Sequence, residues 1–485
     1  MKKFHSLALA CLTLFSLMSC NDDDNNNGNN GSAVQVEFKN HSITPNFLSL
    51  KSGFSNVEIY SVLSSEDTYL QNFVYGSMAD GAGLLKNMDG TYTLINNIEA
   101  DRSIARITFD RSFKPVLGEY ILNADATTET AQCSGSLITP EEHGFGPWYL
   151  SGGEWAGSSP GVFITDPYKD ANQAGFATLI PAMGQWTTEN AVALGKEAYP
   201  NKTVVLIGDD DSANQAPMEG QLAMYVGDFG DLTSGKLYGL KVNGIDNQTS
   251  FEADMTVGTN YQVEFVEYEG DKTKDALQAE SIEKGIMGFQ RVEDIDWRRG
   301  NPREVYFVAT GRGSAEGIGT KYGRVYKLVL DANNPLAGTL SIAVDGDDPN
   351  SPMLSPDNIT VTENYAYIQE DPNFGADEKG HYAQLYQYNL NTGEMKTVLE
   401  CNQDLAAATN DLQGFPYSNG DTWELTGMID ISDIIGEDNT FILITQNHGW
   451  GEDDTHPGFL DPNAGTPDQT DDEGSHMYIV RGLDR

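Results

Sequence analysis

A strand-rich unit recurs along this chain, and the repetition constrains the fold more than any other feature of the sequence. In each unit a leading strand is followed by a middle strand that ends in polar residues, and then by a third strand. The clearest middle strands are residues 203–210, 304–311, 365–371 and 440–447, with third strands at 221–225, 323–328, 384–388 and 476–480. Repetition of such a unit at intervals of tens of residues is typical of a β-propeller.

Two weaker units precede these, around residues 79–123 and 133–166. The sequence therefore predicts an all-β fold, a β-propeller of about six blades. Two β-sandwich sheets without rotational symmetry are the alternative. The 50 glycines and 19 prolines suit many short strands joined by turns. No linker interrupts residues 35–485, so we expect this segment to be one domain.

The N-terminus has the organisation of a bacterial export signal. A basic start precedes an apolar run at residues 7–18, which is too short to span a bilayer permanently. Ser19 followed by Cys20 resembles a bacterial lipobox. We therefore predict a lipoprotein signal peptide at residues 1–19 and lipidation of Cys20. An ordinary cleaved signal with an incidental cysteine is the alternative.

Residues 20–34 are rich in Asn and Asp and cannot bury apolar surface, which predicts a disordered tether. Acidic residues directly after Cys20 resemble the surface-export signal of some Gram-negative lipoproteins. We expect a protein held on the cell surface of the outer membrane by its lipid anchor alone. An anchored form that faces the periplasm is the alternative.

The acidic composition excludes two classes of partner. Lys and Arg together number 29, Asp and Glu number 72, and the net charge is −43. Nucleic acids and anionic membrane surfaces are excluded because their phosphates require basic patches. The acid excess is explained either by solubility or by carboxylates that converge on hard cations such as calcium. We expect the protein to be a monomer.

Polar residues at the ends of the repeated strands form the candidate site. Leading strands begin with Glu189, Glu293 and Asp357, and middle strands end in the acidic pairs 209–210 and 370–371. In a propeller the leading strands surround one central channel, so acids at the same register form a ring at one mouth. Crowded like charges are costly unless cations neutralise them, which predicts a polynuclear metal site. For each acid alone, a solvated turn residue is the alternative.

Cys133 and Arg291 add two groups of different chemistry. Cys133 stands among small residues that let a ligand approach, and a thiolate favours iron or another transition metal. A disulfide between Cys133 and Cys401 stays open, since nothing local supports it. Residues i and i+2 of a strand share a face, so Arg291 and Glu293 are predicted to point into the channel together. A guanidinium beside metals suits a phosphate, and a salt bridge is the alternative.

Together these motifs resemble the PhoX-type alkaline phosphatase family over roughly residues 70–485. The resemblance rests on an ordered set: the Cys133 motif, the stretch from Trp148 to Glu154, the Glu189 strand, Arg291-x-Glu293-Asp294, Pro356-Asp357-Asn358 with residues 369–372, and residues 424–427. It implies a six-bladed propeller that hydrolyses phosphomonoesters at a central site of ferric ions and calcium ions.

The resemblance also assigns roles to individual positions. It implies that Cys133 is a thiolate bridging the irons, that Glu154 and Glu189 are carboxylate ligands, and that Arg291 holds the phosphate. Glu293 and Glu370 are implied as further ligands of the calcium–iron cluster, and the ring argument adds Asp357 as a metal ligand.

The chain departs from the family pattern in three places. The family has two successive acids where this chain has Gly152-Gly153-Glu154, the spacing from Cys133 is longer, and either His448 or His456 can stand for the late histidine element. Two other functions therefore stay open. One is a non-catalytic, calcium-stabilised surface binding propeller, and the other is a phytase- or lactonase-like hydrolase on the same scaffold.

Overall fold

A computed structural model of the protein describes residues 36–313, 317–372, 379–409, 422–450, 458–465 and 473–485. Residues 36–485 form one compact unit. The predicted signal peptide, Cys20 and the predicted tether lie outside the described residues. No helix in the described ranges has the length and apolar character that a membrane span requires.

Most of the described chain lies in strands and the turns between them. The strands are β1 Leu48–Leu50, β2 Glu58–Ser64, β3 Ala79–Lys86, β4 Tyr92–Ile98, β5 Ser103–Phe109, β6 Pro115–Leu122, β7 Thr130–Ile138, β8 Trp148–Ala156, β9 Gly161–Thr165, β10 Thr188–Ala193, β11 Lys202–Asp209, β12 Leu222–Asp228, β13 Lys236–Val242, β14 Tyr261–Glu267, β15 Val292–Trp297, β16 Glu304–Ala309, β17 Arg324–Leu330, β18 Ala337–Asp345, β19 Pro356–Val361, β20 Tyr365–Glu370, β21 Gln384–Asn389, β22 Met395–Cys401, β23 Glu424–Asp430, β24 Thr440–Asn447 and β25 Gly474–Arg481. The helices are α1 Ala124–Thr127, α2 Pro140–His143, α3 Lys274–Lys284, α4 Gln403–Thr409 and α5 Ser432–Ile435. Every strand predicted from the repeated unit is present.

The strands form antiparallel sheets in which neighbours in sequence are neighbours in space. The sheet orders are β3-β4-β5-β6, β7-β8-β9, β10-β11-β12-β13-β14-β18-β17-β16-β15, β1-β22-β21-β20-β19 and β2-β25-β24-β23. The nine-stranded sheet consists of two meanders that meet through their outer strands, where β14 pairs with β18 from Tyr261↔Leu340 to Glu264↔Ala337.

The leading strands pack against one another around a closed ring. Contacts run from β3 to β7, β10, β15, β19 and β23, and from β23 back to β3. Each meander therefore extends outward from a shared axis, and the fold is all-β with a propeller-like arrangement. Apolar side chains fill the spaces between neighbouring sheets. For example, Tyr367 of β20 and Phe441 of β24 lie in different sheets with ring centroids 5.2 Å apart. Within one sheet, the cross-strand partners Phe307 and Tyr326 stack with ring centroids 4.9 Å apart. Burial of each such side chain stabilises the fold by about 1.5–3 kcal/mol.

The N-terminal segment closes the ring. Strand β2 pairs with β25, from Glu58↔Arg481 to Ser64↔His476, so the first long strand completes the sheet of the last ones. Before it, β1 adds an outer strand to the preceding sheet by pairing with β22. The chain enters at the β5–β6 turn, where the Glu37 backbone N–H donates to the Ser112 carbonyl oxygen at 3.3 Å. This turn lies at the opposite end of its sheet from the start of β3.

Candidate metal centre

A β-bulge near the start of each leading strand turns a side chain into the channel. In each pair of leading and middle strands, two residues of the leading strand lie opposite a single residue of the middle strand. Bulges re-aim side chains and are common beside functional sites. The first residue of the bulge is, in chain order, Asp80, Cys133, Glu189, Glu293, Asp357 or Gly427. The shared register predicted from the sequence thus has a structural basis, and five sheet positions present a metal-ligating side chain.

The sixth position, Gly427, has no side chain for a packing reason. Its φ is +55°, a conformation that favours glycine. A Cβ atom there would lie 2.5 Å from the Asp80 carbonyl oxygen and 2.8 Å from the Ile444 side chain. The ring of ligands is consequently open between Asp80 and Asp357.

A second set of acids comes from the ends of the middle strands. In each unit one middle-strand residue pairs with the leading-strand residue just before the bulge. In five units, the residue that follows it in the middle strand is Glu99, Glu154, Asp210, Thr310 or Asp371. Four of these five are acidic, and Thr310 donates its hydroxyl to Glu293 at 3.0 Å. The two sets together surround one end of the channel.

Except for Asp210 and Thr310, the side chains of these two sets line a cavity of about 240 Å³. Its walls are Met78, Asp80, Glu99, Cys133, Glu154, Trp155, Glu189, Arg291, Glu293, Asp357, Asp371, Glu424 and His448. Four groups of three have potential ligand atoms within 4.8 Å of one another: Asp80–Glu99–Cys133, Cys133–Glu154–Glu189, Glu189–Glu293–Asp357 and Asp371–Glu424–His448. Soft sulfur and hard oxygen donors therefore meet in one cavity, and this donor set fits a mixture of a transition metal and calcium.

Six of the seven residues predicted for the centre are brought together here: Cys133, Glu154, Glu189, Glu293, Asp357 and Arg291. Glu370 is not among them. Its carboxylate is fully buried and accepts hydrogen bonds from the Leu354 N–H at 2.7 Å, the Gln384 N–H at 2.8 Å and the Tyr386 hydroxyl at 2.8 Å. Because side chains alternate along a strand, the next residue, Asp371, faces the cavity instead. The structure therefore places Asp371, and not Glu370, at the cavity, which corrects the predicted position of Glu370.

Cys133 lies at the junction of two of the ligand groups. Its Sγ is 2.5 Å from Glu154 Oε2, and the adjoining Ser134 N–H donates to Glu189 Oε1 at 3.2 Å. Burial, followed by the charge of Glu154, raises the pKa of the thiol well above its usual value. Cys133 and Cys401 are both free, buried thiols, so the structure contains no disulfide between them.

The electrostatics of the carboxylates call for cations. Burial raises the pKa of five carboxyl groups well above their usual range, and the charges of neighbouring carboxylates raise it further. The five are Asp80, Glu154, Glu189, Asp357 and Glu424. Carboxylates in this condition hold protons unless another positive charge replaces them. Bound cations would supply that charge and release the protons.

Arg291 is the guanidinium of the cavity. Its Nε donates to Asp210 Oδ1 at 2.8 Å, and its Nη2 lies 2.7 Å from Glu293 Oε1. The predicted common direction of Arg291 and Glu293 is confirmed, and the salt bridge is present as well. Arg291 has a φ of +65°, which is uncommon for a residue with a side chain and costs about 1–3 kcal/mol. Its backbone oxygen accepts the Thr310 N–H at 3.0 Å, which helps to hold this conformation.

His448 was one of two alternatives for the late histidine element, and it is the one that lines the cavity; His456 lies outside the described residues. Its Nδ1 is 2.5 Å from Glu473 Oε2, and the other oxygen of Glu473 accepts the Gly449 N–H at 2.8 Å. Burial lowers the pKa of His448, but the hydrogen bond and charge of Glu473 outweigh it and raise that pKa to about 9.

Asp80, Glu99 and Glu424 were not predicted as site residues from the sequence. Asp371 was noted only within the acidic pair 370–371, and His448 only as one of two alternatives for the late histidine element. Asp80 and Glu99 belong to the weakest predicted unit, where a leading strand of small residues, Ala-Asp-Gly-Ala-Gly, hides the pattern. The signal that could have found them is register: each is in the same place in its unit as Glu189 or Asp210.

Comparisons with known proteins add no family. No protein-family model matches the chain, and no curated protein matches it. An α-L-arabinofuranosidase from Fusarium graminearum is 10% identical, with 87% of this chain and 98% of that chain covered and a TM-score of 0.36. A polysaccharide lyase is 9% identical, with coverage of 87% and 95% and a TM-score of 0.32. A GH43 β-1,3-galactosidase is 11% identical, with coverage of 86% and 94% and a TM-score of 0.35. Likenesses this distant carry no conclusion about chemistry, so the class of the protein rests on its own residues: an all-β, propeller-like fold with a central cavity of acids, one thiol and one guanidinium.

Proposed function

We propose that this protein is a metal-dependent phosphomonoesterase, which releases phosphate from organic phosphomonoesters at the cell surface. We further propose that the fold is a six-bladed propeller in which the nine-stranded sheet counts as two blades. The division between those blades is the β14–β18 pair, where the two meanders meet by their outer strands. The predicted lipid anchor at Cys20 and the monomeric state belong to the same proposal.

One observation carries the functional proposal: a guanidinium faces the same cavity as the thiol and the buried carboxylates. An acidic cavity that only stores calcium has no need of a buried arginine. Arg291 is kept there although its burial is costly, and two carboxylates, Asp210 and Glu293, hold it in place. A planar, permanently charged fork is suited to the oxygens of a phosphoryl group.

The residues fit the metals that the family resemblance implies. Cys133, Glu154 and Glu189 would hold the iron, and Glu189, Glu293 and Asp357 would hold calcium, with Glu189 placed to serve both. When bound, such cations withdraw charge from phosphoryl oxygens and promote formation of the attacking nucleophile.

The chain's own residues supply positioning. Arg291 would orient the phosphoryl group and stabilise charge that grows on its oxygens in the transition state. Asp210 and Glu293 fix the direction of the guanidinium, so little rotamer freedom is lost when substrate binds. Trp155, 37% exposed, forms part of the cavity wall and donates its Nε1–H to Glu99 Oε1 at 2.6 Å.

Two measurements on the same preparation test the proposal. Elemental analysis is expected to give both iron and calcium, and p-nitrophenyl phosphate is expected to be hydrolysed. A phosphodiester, phytate and a lactone serve as comparison substrates, because faster turnover of phytate or a lactone would favour the phytase- or lactonase-like alternative. Protein that carries its metals but hydrolyses none of these would contradict the proposal and favour a binding propeller.

A further inference from the structure

The cavity contains a nitrogen donor that the iron and calcium ligands of the proposed function leave unused. His448 Nδ1 is engaged by Glu473, so the opposite ring nitrogen, Nε2, faces the cavity. Among the described residues, the carboxylate oxygen nearest to Nε2 is Glu424 Oε2 at 4.0 Å, which is too far for a hydrogen bond. With Asp371, these side chains bring three potential ligand atoms within 4.8 Å of one another.

The orientation of His448 is that of a metal ligand. A histidine that binds a metal almost always donates its other ring N–H to a carboxylate or carbonyl, which fixes the ring and its tautomer. Glu473 fills this role from outside the group of ligands, and its second oxygen is held by the Gly449 N–H. Nε2 is then the nitrogen left to coordinate an ion.

A buried amide oxygen supplies an independent indication of a missing partner. Gln446 is fully buried and lies directly opposite Glu424 in the β23–β24 pair, so both side chains project from the same face of the sheet. Its Nε2 donates to Glu99 Oε2 at 2.9 Å, which fixes the direction of the amide. Its Oε1 makes no hydrogen bond to any described residue. A buried amide oxygen without a partner is costly, and a cation or its bound water would satisfy it.

This site occupies the sector of the ring that Gly427 leaves open. The other sectors present an acid or the thiol from the bulge of the leading strand. Here Glu424 comes from the leading strand before its bulge, His448 follows the middle strand, and Asp371 comes from the end of the neighbouring middle strand. The sector therefore has different donors, and an imidazole favours a borderline transition ion over calcium.

We propose that Asp371, Glu424 and His448 form a separate binding site for a divalent transition ion such as Zn²⁺ or Mn²⁺, with Glu473 as the positioning partner of His448. The site does not depend on phosphatase activity, and it is distinct from the sulfur-containing position at Cys133.

The test uses Mn²⁺ as a paramagnetic probe. Protein stripped with a chelator is reloaded with Mn²⁺ alone, and electron spin echo envelope modulation is recorded for the wild type, His448→Gln and His381→Gln. His381 is the matched control, because its ring nitrogens contact the carbonyl oxygens of Tyr382 and Pro352 outside the cavity. We expect ¹⁴N coupling in the wild type and in His381→Gln, and its loss in His448→Gln.

A second variant covers the possibility that His448→Gln folds poorly. Glu473→Gln retains the His448 imidazole but replaces the carboxylate that fixes its direction. The affinity of the His448 site for Mn²⁺ is therefore expected to fall by about 10- to 100-fold. Absence of ¹⁴N coupling in the wild type, or its persistence in folded His448→Gln, would overturn the proposal. Neither result depends on whether phosphomonoesters are hydrolysed, so the two proposals can fail separately.

Discussion

Substitution of Arg291 by lysine separates a part in the reaction from a part in holding the cavity together. Nε and Nη2 of Arg291 are engaged with Asp210 and Glu293, whereas Nη1 donates to no described residue and is left for a substrate oxygen. Lysine keeps the charge but cannot pair with both carboxylates and also reach the substrate. Loss of one charge-stabilising donor raises the barrier by about 3 kcal/mol, which is on the order of a hundredfold in turnover.

The assay is steady-state hydrolysis of p-nitrophenyl phosphate, with iron and calcium measured on the same preparations. We expect kcat to fall with metals retained, because the contact strengthens in the transition state. Arg299→Lys is the matched control. Arg299 pairs with Asp296 at 2.6 Å and lies over the Trp297 ring at 4.3 Å, at the far end of the same strand and outside the cavity. Arg299→Lys therefore removes a guanidinium that is also engaged with a carboxylate but does not line the cavity.

Two results would refute this reasoning. Arg291→Lys that hydrolyses substrate at the wild-type rate, with its metals present, would remove the phosphate-binding role. An activity loss that only follows loss of metals would make Arg291 a structural counter-charge. In either case Arg299→Lys should keep wild-type kinetics.

Three further predictions rest on the structure, and a fourth rests on the N-terminal sequence. Cys133→Ala should lose iron and nearly all phosphatase activity while calcium largely stays, measured by elemental analysis; retained iron would exclude the thiolate as its ligand. Asp371→Asn should weaken cation binding. Glu370→Gln should leave metal content unchanged and lower the free energy of unfolding by about 1–3 kcal/mol, because a glutamine amide cannot accept all three hydrogen bonds that the Glu370 carboxylate receives. Burial raises the pKa of Asp294 to about 7, so its contribution to stability is fully present below a pH of about 4 and is lost as the pH rises through 7. For protein freed of metals by a chelator, urea unfolding should therefore give a contribution from Asp294 that is about 4 kcal/mol smaller at alkaline pH than below pH 4. A free energy of unfolding that increases from pH 4 to alkaline pH would contradict the raised pKa of Asp294. Cys20→Ala should move the protein from the membrane fraction to the soluble fraction, and a wild type that is already soluble would exclude the anchor.

The leading, middle and third strands of the repeated unit were predictable because each is encoded by a short run of neighbouring residues. Continuous apolar runs such as those within 203–210 and 365–371 end in polar residues, and those ends lie at the mouth of the channel. The joining of two meanders through β14 and β18 was not predictable, since edge pairing depends on how neighbouring sheets approach one another. The closure by β2 and β25 is equally remote in sequence, and no local signal near Glu58 indicates it.

The site was predictable where the acid opens a clear leading strand, as at Glu189, Glu293 and Asp357. It was missed where a bulge had to be known first. Asp80 lies in a glycine-rich strand, and Glu370 and Asp371 differ only in which face of the strand they occupy. A one-residue difference of this kind reverses the direction of a side chain, and only the pairing register decides it.

The entry of the chain at the β5–β6 turn has a consequence for access to the cavity. Glu37 is bonded to Ser112, and the Phe38 ring lies 6.3 Å from that of Phe113, all at the end of the sheet remote from Asp80 and Glu99. The first described residues therefore pack at the end of the sheet opposite the cavity and form none of its walls, so they do not obstruct access to it.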